Sequence, residues 1–287
     1  MSLNTIDWHV DILAQSSIVH REDYTAAGTD NFALFRREKI ITPAGELIQV
    51  PIISGSSFRG VLRRIGEELT AAILDYENAL PIPAAHLLSN GGRLAKSASP
   101  FTDEEERHLK TLIPQIAVFG GAASGRIMSG LLAVGKVLPE VAELAHILRR
   151  PPQSGPLSMV RTLAEESFSH LSDHRVTTCQ APQPDINEKT STLGRFGVET
   201  LPAGTRFQTS IRLTNATHLQ TAFLRDVIAT FAQRGHLGGR ISAGHGQITA
   251  TATATAVRGH LPDDTVDWES DLKTHRDDAL TALAKIT

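Results

Sequence analysis

The sequence predicts an α+β protein, and three observations carry that expectation. Ile6, Trp8, Val10 and Ile12 alternate with Asp7, His9 and Asp11 at period two, as a strand buried on one face requires. Phe207, Thr209, Ile211 and Leu213 alternate in the same way with Arg206, Gln208, Ser210 and Arg212. Two other stretches space their apolar residues by three and four, which is the stripe of an amphipathic helix. The first runs through Phe58, Val61, Leu62, Ile65, Leu69, Ala72, Ile73 and Tyr76; the second through Leu219, Phe223, Leu224, Val227, Ile228 and Phe231.

In chain order, the first strand gives way to a polar stretch over 16–46 that reads as loop. Val50 to Ile53 is a short apolar run, and Ser54-Gly55-Ser56-Ser57 then opens the first helix, since serine satisfies the free amides at a helix start. Pro81, Pro83, Gly91, Gly92 and Pro100 punctuate an insertion over about 77–113, with a short acidic helix from about Thr102 to Leu112. Ile116 to Phe119 reads as a strand ending at Gly120-Gly121, and Ile127 to Leu138 as the next strand; Val141 to Leu148 fits strand or helix. The stretch 172–198 is a polar extension without a core of its own. The strand at 207–213 and the second helix follow, then Gly238-Gly239-Arg240-Ile241-Ser242-Ala243-Gly244-His245-Gly246, then a Thr/Ala strand over 247–257. The chain closes in an acidic tail over 258–287 with a short helix near 276–286. Strand, helix, strands with insertions, strand, helix, strand suits a βαββαβ ferredoxin-like core, a scaffold shared with RNA-recognition modules. The division expected is one domain over 1–257, followed by the tail.

A chain of 287 residues with 41% hydrophobic and 21% charged residues has ample material for a packed core and is not a disordered composition. No apolar run approaches the ~18 residues of a membrane span, and Asp7 and His9 interrupt any leader-like start, so a soluble cytoplasmic protein without membrane partners is expected. The single cysteine, Cys179, excludes an internal disulfide and a thiolate metal cluster, and the histidines show no HExxH or HxH spacing. Neither a metal nor another cofactor is expected. Net charge is −3, but the charge is unevenly placed. Arg36, Arg37, Lys39, Arg59, Arg63 and Arg64 stand against only Glu38 and Glu46, and Arg195, Arg206, Arg212, Arg225, Arg234 and Arg240 against only Glu199 and Asp226. Two basic zones could therefore meet as one polyanion surface.

Ser54, Gly55, Ser56 and Ser57 place small residues and free amides at a helix N-terminus, which with the helix dipole attracts phosphate. Arg59, Arg63 and Arg64 follow, with Arg59 and Arg63 four apart on one face; an ordinary capped helix with Arg63–Glu67 and Arg64–Glu68 pairs is the plainer alternative. Gly238, Gly239, Gly244 and Gly246 permit close approach of a polyanion, or simply make a tight helix-to-strand turn. A P-loop is excluded by the absence of GxxxxGK[ST].

The combination of ISGSSFRGVLR after a strand, FGG before a basic strand carrying Arg126, LPAGTRF at Leu201 to Phe207, and GGRISAGHG after the last helix resembles the RAMP superfamily of CRISPR-associated proteins. The resemblance spans about residues 5 to 257 in collinear order. It is nearest to the repeated backbone subunit that coats guide RNA, with Phe35-Arg36-Arg37-Glu38-Lys39 and Phe119-Gly120-Gly121 closer to type IV than to type III subunits. It implies a ferredoxin-like (RRM-like) palm touching guide phosphates through 54–64 and 238–246, including Ser242 and His245. It also implies a helical or finger insertion and a thumb at about 172–198 that splays out a nucleotide, with Arg195 and Phe196 at the thumb base as contacts to it; plain core is the other reading of Phe196. Implied partners are guide RNA (crRNA), further copies of the chain, other CRISPR effector subunits, and target DNA or RNA through guide pairing.

Some type III relatives cut target RNA with a loop aspartate between the first strand and first helix, and Asp30 occupies the matching region. A solvated turn residue is the plain reading of Asp30, and a target-RNA endoribonuclease is the alternative function. His20 and His245 could serve acid–base cleavage only if the fold united them. An unrelated enzyme holding a phosphorylated small molecule at the glycine-rich loop is the third possibility. The leading expectation is a non-catalytic, guide-RNA-binding scaffold.

Overall fold

The computed structural model describes residues 3–22, 31–76, 79–94, 96–97, 100–171 and 193–286, with the side chains of 170–171 and 193–195 left aside. Asp30, Cys179, most of the expected thumb and the Arg195 side chain lie outside the described residues. The elements in order are strands β1 (Asn4–Ala14), β2 (Phe32–Ala33), β3 (Arg37–Ile41) and β4 (Leu47–Pro51), then helices α1 (Gly55–Leu74), α2 (Ile82–Asn90), α3 (Asp103–Leu112) and α4 (Pro114–Phe119). Short strands β5 (Gly121–Ala123), β6 (Arg126–Met128), β7 (Leu132–Val134) and β8 (Leu138–Pro139) lead through a 3₁₀ turn at Ala142–Leu144 to α5 (Met159–Thr162). The chain continues with β9 (Ala164–Leu171), β10 (Leu193–Thr200), β11 (Arg206–Ala216), α6 (His218–Arg234), a 3₁₀ turn at Ile241–Ala243, β12 (Ile248–Arg258), α7 (Trp268–Thr274) and α8 (Arg276–Ala284).

This is a mixed α+β architecture with antiparallel sheets. The main sheet runs β12-β1-β11-β7, with β8 also paired to β11. In β1 every second residue from Asn4 to Ala14 is buried, and the register Ile6↔Leu213 to Leu13↔Arg206 sets its apolar face beside that of β11. A one-residue slip would turn Trp8 and Val10 to solvent, so the alternation itself fixes the pairing. Helices α1 and α6 pack together on the apolar side, where Phe58 meets Phe231 edge to face at 5.4 Å. Caps match the sequence: the Ser54 side chain accepts the Ser57 N–H, and Thr217 with Gln220 forms a capping box on α6. The opposite face of the sheet is polar. There, Arg212 donates twice to Asp7, each at 2.6 Å, and Arg150 pairs with Asp11.

Several expectations are corrected. The segment 16–46 is not all loop, because Arg37–Ile41 pairs with Leu47–Pro51 around a turn closed by Gly45 at φ 84°. Ile116 to Phe119 is helical, since a short run buried on every side carries no period and Pro114 starts a helix there. Ile127 to Leu138 is broken into three short strands rather than one. Gly130 explains one break: a Cβ there would lie 2.6 Å from the Val118 carbonyl oxygen. The insertion at 77–113 lends Ala84, Leu87, Leu88 and Leu109 to the main core. The acidic tail is likewise no tail, because α7 and α8 bury Trp268, Leu272, Ala279 and Leu283, and Ile286 just after α8 is buried too, with Trp268 set edge to face on Phe223 at 4.9 Å. Among the described residues, no helix is long and apolar enough to cross a membrane.

Candidate nucleic-acid interface

The fold brings the two glycine- and serine-rich segments together. A cleft of about 440 Å³ has Ser56, Ser57, Gly60 and Arg64 on its α1 side and Gly238 and Gly239 on the other, with His20 between them. Ser54 anchors the helix start: its Oγ accepts the Ser57 N–H at 3.2 Å, and its own N–H donates to His20 Nε2 at 3.2 Å. The amides of Gly55 and Ser56 have no hydrogen-bond partner among the described residues. At a helix N-terminus they carry the positive end of the dipole. Arg64 is exposed, and its guanidinium makes no hydrogen bond or ion pair among the described residues.

Arg59 and Arg63 do not join this site. Arg59 donates to the carbonyl oxygens of Leu132 and Phe119, each at 2.7 Å. Arg63 is buried; it donates to Phe119, Gly120 and Leu87 oxygens and lies over the Phe119 ring at 5.3 Å. Both guanidiniums thus cap the C-terminal end of α4, where unpaired carbonyls and the negative end of the dipole favour a cation. Burial, with the Arg59 charge nearby, lowers the Arg63 pKa to about 10, so it stays charged at neutral pH. Arg126 is also committed, to Asp103 at 2.6 Å, to Glu106, and to the Phe101 carbonyl. These three arginines were expected to face phosphate, and the structure instead turns them into structural cations.

Four further arginines of the two basic zones are neutralised by carboxylates. Arg37 pairs with Glu199, Arg234 with Glu68, Arg212 with Asp7, and Arg225 with Asp226 and Asp264. Arg64 and Arg240, like Lys39 and Arg206, take part in no ion pair among the described residues.

The glycine-rich loop is shaped by close backbone packing. Gly238 has φ 89°, and a Cβ on it would fall 2.6 Å from the Val19 oxygen; Gly239 donates its N–H to that same oxygen at 2.8 Å. Gly246, at φ 81°, faces the Leu237 oxygen at 2.5 Å in the same sense. These two glycines are therefore required by the fold, whereas Ser242 and Gly244 stand exposed at the loop tip. His245 contacts Ser17 Oγ through Nδ1 at 2.9 Å, and Glu166 approaches the same nitrogen at 3.9 Å. Because both meet Nδ1, the ring cannot relay a proton from one to the other. His20, whose Nε2 holds the Ser54 amide, is committed elsewhere, so the two histidines serve separate parts of the loop framework.

Arg195 lies in β10 opposite Ser169, and only its backbone is described. Phe196, half-buried, is not core: it stacks on Phe168, its register partner in β9, with centroids 5.6 Å apart and planes 18° apart. The Arg240 guanidinium carbon sits 3.6 Å from the Phe168 ring centre. Phe168 was missed in the sequence. The available signal was the alternation of Glu166, Phe168 and His170 with small or charged neighbours in a strand whose partner was not evident.

A family model described as the RAMP superfamily matches residues 27–249. No curated protein matches the chain. Among solved structures, a chain of one described as "Type IV-B CRISPR Complex" is similar at 55% sequence identity and a TM-score of 0.62, over 91% of this chain and 96% of that one.

Proposed function

This chain belongs to the RAMP superfamily, and on that premise we propose that it is a guide-RNA-binding backbone subunit of a type IV CRISPR complex. The observation that carries the reading is the cleft in which the α1 N-terminus, Arg64 and Gly238-Gly239 meet. Free amides, a helix dipole and one exposed cation suit phosphates and carry no base information, as a subunit that must hold any guide requires. The 55% identity to a chain of the type IV-B complex supports the subtype.

In this reading the order β12-β1-β11-β7, with α1 and α6 as crossovers, is a ferredoxin-like palm. The β9–β10 ribbon is the root of a thumb, and Phe196 and Phe168 stand at its base. Copies associate head to tail along the guide in the cytoplasm and present it to target nucleic acid. Such an interface does not close, so copy number follows guide length. The chain supplies no chemistry of its own, and Asp30 takes no part in cleavage.

The test is to purify the protein, record its absorbance spectrum, and digest and size any bound nucleic acid. RNA whose length sets the number of protein copies is expected. A nucleic-acid-free closed dimer that ignores added RNA would overturn the reading. Incubating the assembly with labelled complementary RNA and Mg²⁺ should leave that RNA intact; regular cuts that vanish in Asp30→Ala would make the subunit a nuclease.

A further inference from the structure

Arg240 is held in an unusual way. It adopts φ 58°, a left-handed conformation that a non-glycine residue rarely takes without support from its surroundings. Its guanidinium carbon lies over the Phe168 ring, 3.6 Å from the ring centre, its Nε is buried without a partner among the described residues, and it takes part in no ion pair there. A surface arginine that forms only a structural anchor would normally find a carboxylate or carbonyl, as Arg59, Arg63 and Arg126 do. Arg240 instead shows a planar cation whose one face is backed by an aromatic ring. It directly follows Gly238 and Gly239, which form one wall of the phosphate cleft. Guanidinium planes and aromatic rings are the surfaces on which unpaired bases stack, and a base has a π-face whatever its identity.

We infer that one unpaired nucleobase of the bound strand stacks on the Arg240 guanidinium, which the Phe168 ring backs, with purines favoured over pyrimidines for their larger face. This rests on the RNA-binding reading above and deepens it. The phosphate cleft holds the strand; Arg240 sets which nucleotide is unstacked from its neighbours.

The probe is a short single-stranded RNA carrying 2-aminopurine at one position, moved along the strand, together with the same RNA made abasic at each position in turn. With the wild type, fluorescence should change sharply at one position, where an abasic site should weaken binding about tenfold. Arg240→Lys keeps the charge and loses the plane. It should remove the fluorescence signature and weaken the intact RNA about tenfold while barely altering affinity for the abasic RNA. Phe168→Leu, which removes the backing ring, should act in the same direction and keeps the test open if the first variant folds poorly. Equal abasic penalties in wild type and both variants would overturn the stacking while leaving RNA binding in place. Failure of the wild type to bind RNA at all would overturn both.

Discussion

Arg63 and Arg64 are adjacent in sequence, carry the same charge, and do opposite things. The α1 face that bears Arg59 and Arg63 is turned inward, onto the carbonyl end of α4, where Arg63 is 8% exposed. The face that bears Ser56, Gly60 and Arg64 opens onto the cleft. A helix rotates about 100° per residue, so one step separates a structural cation from a ligand-facing one. A cation's role is set by which orphan groups it meets, carbonyls in one case and amides awaiting an anion in the other.

The sharpest way to break this comparison is Arg63→Ala. It leaves the Gly120 and Leu87 oxygens without their donor and the Phe119 oxygen with Arg59 alone, and unsatisfied buried groups of this kind together cost about 3 kcal/mol. Urea unfolding should show that loss, with the residual folded protein binding RNA at an unchanged salt slope. A stable Arg63→Ala protein that binds RNA with a shallower slope would place Arg63 in the cleft after all.

On the other wall, Gly238→Ala should cost about 2 kcal/mol, because the new Cβ strikes the Val19 oxygen at 2.6 Å in a left-handed backbone. Gly244→Ala, at φ 88° with nothing within 4 Å of the new Cβ, should cost less, about 1 kcal/mol. Thermal unfolding of the two variants orders them. Equal losses would mean that backbone conformation alone, and not the packing of the loop on 15–19, holds this wall in place.

Arg64→Ala is expected to be nearly silent in stability and to weaken RNA binding evenly across unrelated sequences. Loss of one phosphate contact on single-stranded RNA should reduce the slope of log affinity against log salt by about 0.7. Filter binding at several salt concentrations measures it. An unchanged slope would make Arg64 an ordinary solvated arginine and leave the amides as the whole anion site.

The central strands β1 and β11, both long helices and both loops of the cleft were legible in the sequence, because each rests on local signals: period, serine caps, glycine clusters. What local signals could not show was which cations the fold would use up. Arg59 and Arg63 at i and i+4 look like a phosphate clamp until α4 is known to end beneath them. That helix was itself read as a strand, because six buried residues show no period. Phe168 was invisible for a related reason, since its partner Phe196 lies across a long polar excursion and only the β9–β10 register makes them neighbours. Trp268 was assigned to a tail by the acids around it, although its indole N–H donates to Asp226 at 2.8 Å and its ring fills the core.

The smallest effect belongs to a cation on neither side of α1. Arg212, on the polar face of the sheet, grips Asp7 with two hydrogen bonds of 2.6 Å. That contact, against an opposing contribution from burial, holds the Asp7 carboxyl below its ordinary value of 3.8. A carboxylate whose pKa is depressed by folding contributes stability above its unfolded pKa and loses it as pH falls through the folded value. The stability difference between wild type and Asp7→Asn should therefore be constant from neutral pH down to about pH 4 and shrink below it. It should also shrink in high salt, because Arg212 is 53% exposed and the pair is screened. Acid and salt should leave the Arg63→Ala difference largely intact over the same range, since its partners are carbonyls that do not titrate. A salt- and acid-independent Asp7→Asn difference would mean that the pair works by packing, and the contrast between buried carbonyl-capping arginines and exposed ion-paired ones would lose its physical basis.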